Sequence, residues 1–540
     1  YGRFLARAFG LDDARPTPAA TINDGVDYVP TRPAILLGQH FAAIAAVGPI
    51  VGPILAGMHY GWAPGLVWVA LGAIFIGGVH DFAALVASVR HEARSVAELV
   101  NRYISRRAYV LFLLFIWLSL LYVIVVFTDL TAAAFVAMPY GPGVASSSAL
   151  YLAVAVALGV ALYRFGLPLW LATAVGVPLV GFIIWLGQAL PLTVPPLPGG
   201  SAQQSWDLII LGYCFVASII PIWLLLQPRG YLGAYFLYAT FVAGLVGTLL
   251  GGVPVEYPAS IHRVLFGFGP GAAFPIFPLL FTTIACGACS GFHGIVSSGT
   301  TSKQLRRETD ARMVGYGGML LEGFVAVVAL ATVMMLAPGS EGLRRSPDEI
   351  YAFGLARFLQ LFGIPVALSV AFGKLAFATF IYDTLDVATR LGRYVFQELT
   401  GLKGRRGAIL ATLATLAVPA VTVLMTFTND AGAAVPLWKK FWPVFGASNQ
   451  MLAALSLIGI TIWLRREGRN WLVTGIPALF MLAITLWSLL IIIQPWWRKI
   501  FSGSLGLDAV GTTATLLLAL AALVAAEAVR RFRAPAAPSA

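Results

Sequence analysis

The sequence predicts an all-α, polytopic membrane protein, and three observations lead to that fold class. Of its 540 residues 59% are hydrophobic and only 11% are charged, whereas soluble domains have about 25% charged residues. The apolar residues form runs of about 20 residues, the length that a helix needs to cross a bilayer. These runs are continuous, and they lack the alternation over about ten residues that a membrane β-strand would show.

Fourteen such runs are predicted to be transmembrane helices, because a helix satisfies its own backbone polar groups in lipid. We name them spans 1 to 14. In chain order they are 34–57, 64–88, 109–137, 147–164, 168–190, 206–227, 232–252, 276–300, 312–337, 359–386, 408–428, 446–465, 472–494 and 509–530.

The basic residues orient these spans. The segment before span 1 and the segments after every even-numbered span contain 26 of the 35 Lys and Arg residues; the other loops contain 8, and Lys374 lies within a span. Positively charged loops remain in the cytoplasm, so both ends of the chain are predicted to be cytoplasmic. Because the cations are confined to short segments between apolar runs, the net charge of +12 does not indicate nucleic-acid binding.

Span 1 is predicted to be a discontinuous helix. It contains Gly48-Pro49 and Gly52-Pro53, and each proline removes a backbone donor and opposes the preceding turn. Transporters use such breaks to bind ions and substrate carboxylates. The alternative is a kink that only serves packing, since Gly and Pro are common in membrane helices.

Span 6 is predicted to be a second interrupted helix, because it contains Ser218 and Pro221. Span 6 comes five spans after span 1. Because five is an odd number, spans 1–5 and spans 6–10 would have inverted topologies, as in the LeuT-type 5+5 core. The predicted division is a cytoplasmic segment (1–33), a first repeat (34–190), a second repeat (206–386), a cytoplasmic amphipathic segment (387–405), additional spans 11–14 (408–530) and a disordered tail (531–540).

Ionisable residues within spans are costly in lipid and mark functional sites. His40, Asp81 and His293 are predicted to line the central pathway, where they would couple protons or orient substrate. Gly48, Pro49, Gly52 and Ser218 complete the predicted substrate and coupling site through the two helix breaks. The alternative for each ionisable residue is a structural hydrogen bond between helices.

Span 8 is rich in hydroxyl side chains, and it is predicted to contribute to a sodium site. Ser297, Ser298 and Thr301 would meet the backbone carbonyls of Ala45 to Gly48, since oxygen ligands suit a hard cation. A tightly packed helix interface is the alternative, because small and hydroxyl residues also favour close helix approach. The pair Cys286 and Cys289 is expected to be ordinary packing.

Enzyme motifs are absent from the sequence: it contains no GxSxG, HExxH or GxxxxGK[ST] pattern,. We therefore expect neither an enzyme nor an ATP-driven pump, and no cofactor other than a bound Na⁺. The remaining alternative to a transporter is a membrane-embedded sensor or structural subunit, but no soluble signalling domain is visible.

Eight strings distributed over nearly the whole chain resemble the carbon starvation protein A (CstA) family. They are DGVDYVPT (24–31), GQHFAAIAAVGPIVGPILA (38–56), GGVHDF (77–82), LLLQPRGYL (224–232), IACGACSGFHGIVSSGTTSK (284–303), GYGGMLLEGFVAVVAL (315–330), TLDVATRLGRYVFQEL (384–399) and FWPVFGASNQMLAALSL (441–457). Gln39 and His80 depart from the family's GHHF and QDF patterns, and the chain resembles the shorter branch.

The resemblance implies a secondary transporter of the bacterial or archaeal inner membrane. Family members are linked to uptake of peptides and of pyruvate, and the resemblance implies proton coupling. The expected substrate is pyruvate, a small peptide or an amino acid, and the hydroxyl groups of span 8 leave sodium as the alternative coupling ion. Because the family usually has another helix before the segment that starts at Tyr1, a further upstream helix is expected.

Overall fold

The structure is a computed structural model, and it describes residues 1–261, 275–427, 435–503 and 508–533. In these ranges all regular secondary structure is helical. The β-pairing within them is limited to one isolated bridge between Thr31 and Leu305. The predicted all-α membrane fold is therefore confirmed. The end of the predicted tail, residues 534–540, lies outside the described residues, as does most of the loop 253–275.

The α-helices of the described ranges are named α1 to α21 in chain order. The first eleven are Gly2–Phe9, Pro18–Ile22, Pro33–Ile44, Gly48–Tyr60, Trp62–Gly72, Gly78–Val89, Ala97–Tyr103, Arg106–Val136, Gly141–Tyr163, Leu169–Ala189 and Ala202–Ile219. The other ten are Leu226–Leu250, Ile276–Thr283, Gly291–Val296, Gly318–Met334, Pro347–Leu359, Val366–Thr400, Gly404–Thr422, Leu437–Arg466, Leu472–Phe501 and Ala509–Arg533.

The predicted count of fourteen spans is not confirmed. Within the described ranges, ten helical segments are long and apolar enough to cross a membrane, or eleven if the bent pair α3–α4 is one span. Two other predicted spans correspond to the short helices α11 and α18, of 18 and 19 residues, in which polar residues such as Asp207 and Arg406 lower the mean hydropathy. Span 8 is divided between two helices that are each too short.

Span 1 is discontinuous as predicted, but it has one break, just before Gly48, and the predicted second break is wrong because Gly52-Pro53 lies inside a helix. Helix α3 ends at Ile44 and α4 begins at Gly48, with a bend of 43° between them. Pro49 occupies the first turn of α4, where a helix tolerates proline because that N–H has no intrahelical partner. The broken backbone comprises residues 45–47.

The predicted interruption of span 6 is wrong. Helix α11 runs without a break to Ile219, the chain turns through residues 220–225, and α12 begins at Leu226. Pro221 therefore ends a helix, because the residue before a proline is pushed out of the helical region. Ser218 lies in the last turn of α11, where its hydroxyl is 3.2 Å from that of Thr412.

The second interrupted helix is span 8. Helix α13 ends at Thr283 and α14 begins at Gly291, and α14 continues through a π-helical turn at Ser297–Thr301.

Span 10 also differs from expectation, because α17 runs from Val366 to Thr400 as one helix. The predicted amphipathic segment 387–405 is thus mostly a continuation of α17.

The segment 23–31, which we name the N-terminal strap, covers the ends of several helices. Its Asp27 carboxylate lies 3.1 Å from the Arg390 guanidinium and accepts a hydrogen bond of 2.5 Å from the Tyr394 hydroxyl. Burial raises the pKa of Asp27, but the cations Lys303, Arg390 and Arg393 outweigh it and hold the pKa below its usual value. The strap is thereby fastened to α17 and to the end of span 8.

We expect Asp27→Asn to loosen the strap. A carboxyl group whose pKa is lowered in the folded protein stabilises it above the pKa of the unfolded chain, and that contribution disappears as pH falls through the lowered value. The wild-type strap should therefore stay fastened between about pH 5 and 8. Labelling of a cysteine at Val29 by an impermeant thiol reagent should be faster in Asp27→Asn; equal rates would contradict the assignment.

The loop charges predict that positions 106 and 306 face the cytoplasm and that position 344 faces outward. Contacts agree with this grouping: the Arg90 guanidinium binds Glu308 at 2.6 Å and the Gly10 carbonyl at 2.8 Å, and all three belong to predicted cytoplasmic segments. Arg106→Cys, Arg306→Cys and Arg344→Cys, each in a background without the three native cysteines, should be labelled from those sides. Labelling of position 306 only from outside would contradict this topology.

Candidate transport site

The two broken helices meet where both lack regular backbone. A Cβ atom on Gly48 would lie 2.4 Å from the Cys286 sulfur, and one on Gly52 would lie 2.6 Å from the Thr283 carbonyl oxygen. Only glycine allows this approach at these positions. The start of α4 thus rests directly on the interruption between α13 and α14, and this contact explains both predicted glycines.

The interruption in span 8 is held by side chains from other helices. Gly287 has φ +73°, a conformation that glycine adopts readily, and its N–H donates to Glu322 Oε1 of α15 at 3.0 Å. At the other end of the interruption, Asn449 Oδ1 of α19 accepts the Phe292 N–H at 2.8 Å. Freed backbone donors in a membrane must find such partners.

His293 stands between two buried carboxylates. Its Nδ1 donates to Asp81 Oδ2 at 2.9 Å, and its Nε2 lies 3.2 Å from Glu322 Oε2, within ion-pair distance but without hydrogen-bond alignment. All three side chains are fully buried. Two of them, Asp81 and His293, are predicted site residues, and the structure brings them into direct contact.

His80 provides a second donor to the same aspartate. Its Nδ1 is 2.8 Å from Asp81 Oδ1, so each oxygen of Asp81 faces one imidazole. With both carboxylates ionised and only His293 protonated, this cluster has one uncompensated negative charge. Such a charge is expensive to bury, and one further proton removes it.

His40 lies beside this cluster on α3. Its Nδ1 is 2.9 Å from the Thr301 hydroxyl, and a Cβ on Gly318 would lie 2.9 Å from the imidazole Cδ2. His40 Nε2 is buried and has no hydrogen-bond partner among the described residues. The imidazole is therefore able to take up or donate one further hydrogen bond at the helix break.

The predicted sodium ligands differ in their hydrogen-bond partners. The Ser298 hydroxyl accepts the Val96 N–H at 3.2 Å, the Thr301 hydroxyl faces His40, and the Ser297 hydroxyl has no partner within the described ranges. In the part of the chain that the structure describes, none of them is hydrogen-bonded to the carbonyls of residues 45–48. Ser218 is also apart from this site, since its partner is on α18.

The sequence predicted His40, Asp81 and His293 as site residues, but it did not single out Glu322 or Asn449. The signal for Glu322 was present, because it is an acid inside an apolar run. Asn449 gave no comparable signal, since an uncharged amide inside a membrane helix is unremarkable until its partner is known.

A family model described as "Carbon starvation protein CstA" matches residues 1–342 and 339–488. A peptide transporter CstA of Helicobacter pylori is 33% identical over 92% of this chain and 80% of its own length. The Escherichia coli peptide transporter CstA is 32% identical, over 93% and 79%. The Escherichia coli pyruvate/proton symporter BtsT is 31% identical, over 91% and 78%.

Solved structures to which the chain is similar include a mutant manganese transporter of Eremococcus coleocola and MhsT in complex with L-phenylalanine. Their TM-scores are 0.46 and 0.47, each at 13% identity, covering 95% and 93% of this chain and 98% of their own chains. The family model and the relatives at more than 30% identity confirm the resemblance in the eight strings. The chain belongs to the carbon starvation protein CstA family.

Proposed function

We propose that this chain is a secondary active transporter that imports pyruvate, a small peptide or an amino acid across the inner membrane together with protons. The observation that supports this proposal most is the position of His293, between Asp81 and Glu322 at the junction of two broken helices. The named activities of the relatives, peptide transport and pyruvate/proton symport, point the same way and do not favour a sensor or structural subunit.

The cluster suits proton coupling because it lacks one positive charge when its acids are ionised. A proton entering Glu322 or Asp81 would neutralise the cluster. Its departure would leave a buried charge and favour a rearrangement. A substrate carboxylate would be bound by His40 and by the Gly48 N–H at the start of α4, where the helix dipole favours an anion.

We further propose a LeuT-type inverted core, with repeats placed differently from the sequence-based division. Each broken helix is followed by a helix that contains a π-helical turn, at Ala73–Gly77 and at Arg312–Gly317. A short helix (α7 or α16) and a long helix (α8 or α17) come next in both halves. The repeats would begin at α3 and α13, seven predicted spans apart, which still gives inverted topologies. The division at residues 190 and 206 loses its basis because span 6 is not interrupted.

Sodium remains the alternative coupling ion. The unpartnered Ser297 hydroxyl and the nearby Thr301 are its proposed ligands, with carbonyls of residues 45–48 moving into reach in another state of the cycle. Proton coupling has the stronger support, because the charged cluster already exists and the sodium ligands do not meet.

Uptake into proteoliposomes tests this proposal. Labelled pyruvate, dipeptides and amino acids would be offered with a pH gradient or a sodium gradient imposed separately, and protein-free liposomes would measure passive entry. We expect accumulation of one of these substrates under an inward proton gradient and none under sodium alone. Accumulation under sodium alone would contradict proton coupling, and absence of both accumulation and counterflow would contradict transport.

A further inference from the structure

A second cluster of buried charges lies against α3, away from His293. Arg229 of α12 binds Asp383 Oδ1 through Nε at 2.6 Å and Asp386 Oδ2 through Nη1 at 2.5 Å. The three side chains are 1%, 6% and 1% exposed. Sequence analysis counted Arg229 among the cytoplasmic cations, but it lies inside the helix bundle.

Tyrosines complete the surroundings of this cluster. The Tyr213 hydroxyl of α11 donates to Asp386 Oδ2 at 2.6 Å and also contacts Arg229, and the Tyr151 hydroxyl of α9 donates to the Arg229 carbonyl at 2.6 Å. Arg390, one turn beyond Asp386 on α17, is held by the strap residue Asp27 and by carbonyls of α11 and the turn after it. The remaining titratable neighbours are Cys214 and Tyr382.

The charges in this cluster do not balance. Within the directly paired set, one guanidinium faces two carboxylates; Arg390, one turn away, is shared with Asp27, which Arg393 also approaches at 3.7 Å. Asp383 Oδ2, Asp386 Oδ1 and Arg229 Nη2 are buried and have no hydrogen-bond partner within the described ranges. An uncompensated carboxylate is strongly disfavoured in a membrane interior, and the three directly paired side chains are one positive charge short when both acids are ionised.

A proton supplies this charge better than a metal cation does. Arg229 already occupies one oxygen of each carboxylate at 2.5–2.6 Å, and a bound Na⁺ beside the guanidinium would be repelled by it. Na⁺ would also need several more oxygen ligands than the two free carboxylate oxygens. A proton on either acid removes the excess charge without any new ligand.

The cluster is also placed to sense the helix break. Thr384, next to Asp383, donates its hydroxyl proton to the Ala43 carbonyl at 2.9 Å, in the last turn of α3. Gly233 of α12 approaches Asp383 so closely that a Cβ would lie 2.6 Å from Oδ2, and Gly230 would meet Gln39 of α3 at 2.9 Å. Movement at the break therefore reaches both acids.

We propose that the Arg229–Asp383–Asp386 cluster binds a second exchangeable proton in each transport cycle. The inference rests on the proposed function, because it assigns a second coupling site to the same symport. Arg390, one turn beyond Asp386, contacts Asp27, whose side chain is 20% exposed, so the cluster lies close to a surface that the charge pattern predicts to be cytoplasmic. Two protons carried with one monovalent anion move one net positive charge inward, whereas one proton moves none.

The test is the voltage dependence of pyruvate uptake, or of another monovalent anion that the substrate panel identifies. A negative-inside potassium diffusion potential should increase accumulation by wild type by up to about tenfold for each tenfold potassium gradient. Asp386→Asn leaves Arg229 paired with Asp383 alone, and Asp383→Asn leaves it paired with Asp386 alone. In each variant the Arg229 cluster is therefore neutral without a bound proton. Uptake by these variants should become independent of voltage. Asp129→Asn is the matched control, because Asp129 is a buried acid held by the neutral donors Gln203 and Trp438.

Failure of wild type to transport any substrate would contradict the proposed function. Two results would contradict only this inference. One is transport by wild type that does not depend on voltage. The other is a voltage dependence in both asparagine variants that equals that of wild type. If both variants are inactive, pH-difference infrared spectra decide. A carboxylic-acid carbonyl band that is present in wild type and Asp129→Asn but absent from one asparagine variant supports the inference; an unchanged band in both overturns it.

Discussion

Replacing Glu322 by glutamine is expected to lower proton-driven accumulation about tenfold under a pH gradient of about one unit, since each lost proton removes about 1.4 kcal/mol of driving force. Glutamine keeps the shape of the side chain and can still accept the Gly287 N–H, but it cannot bind a proton beside His293. Counterflow of labelled substrate, which needs no net proton movement, should remain near wild type.

The same pair of assays separates the other members of the site. Asp81→Asn and His293→Ala should lose gradient-driven accumulation, and His293→Ala should also reduce membrane abundance because it leaves two buried acids without their shared partner. His40→Ala should impair both assays if the imidazole holds the substrate. A variant at normal abundance that retains wild-type accumulation and counterflow would show that its residue is structural.

Arg229→Ala is expected to have the largest effect on stability. Removing one partner of a buried ion pair typically costs about 3–5 kcal/mol, because the remaining charge has no compensation, and here two carboxylates would remain. The thermal unfolding midpoint in detergent and the amount of protein in the membrane should both fall sharply.

Neutralising the stranded acids should restore part of that loss. The triple variant Arg229→Ala, Asp383→Asn, Asp386→Asn should be more stable than Arg229→Ala alone, although it cannot carry the second proton. Arg406→Ala is the matched control, since Arg406 is exposed at the start of α18 and surface substitutions usually stay within about 0.5 kcal/mol. Equal stability of Arg229→Ala and this control would contradict the role assigned to the guanidinium.

The sequence predicted features that arise from local chemistry. Membrane insertion followed from composition, and the break in span 1 followed from Gly48-Pro49, because proline acts on its own helix; Gly52-Pro53 lies inside α4 without breaking it. The second break has no proline. It depends on Gly287 in a left-handed conformation and on donors that are satisfied by Glu322 and Asn449 from distant helices.

Pairings between buried charges were harder to predict, because they depend on which helices become neighbours. Asp383 and Asp386 lie within one helix together with Arg390 and Arg393, which are their nearest cations in sequence. The structure joins them instead to Arg229, a residue that the positive-inside pattern assigns to a loop. The hydroxyl groups of span 8 predicted a cation site; Ser298 and Thr301 are hydrogen-bonded to Val96 and His40 in the described contacts, and the cation site stays a prediction.

Proton movement induced by substrate is the most direct test of the central claim, that the Asp81–His293–Glu322 cluster couples transport to protons. Proteoliposomes containing a pH-sensitive dye would receive substrate outside at equal internal and external pH, with protein-free liposomes as the measure of passive acid entry. Wild type should acidify the interior as substrate enters, and Glu322→Gln should acidify it less for each substrate molecule taken up. Substrate entry at the wild-type rate without acidification beyond the protein-free control would contradict the account.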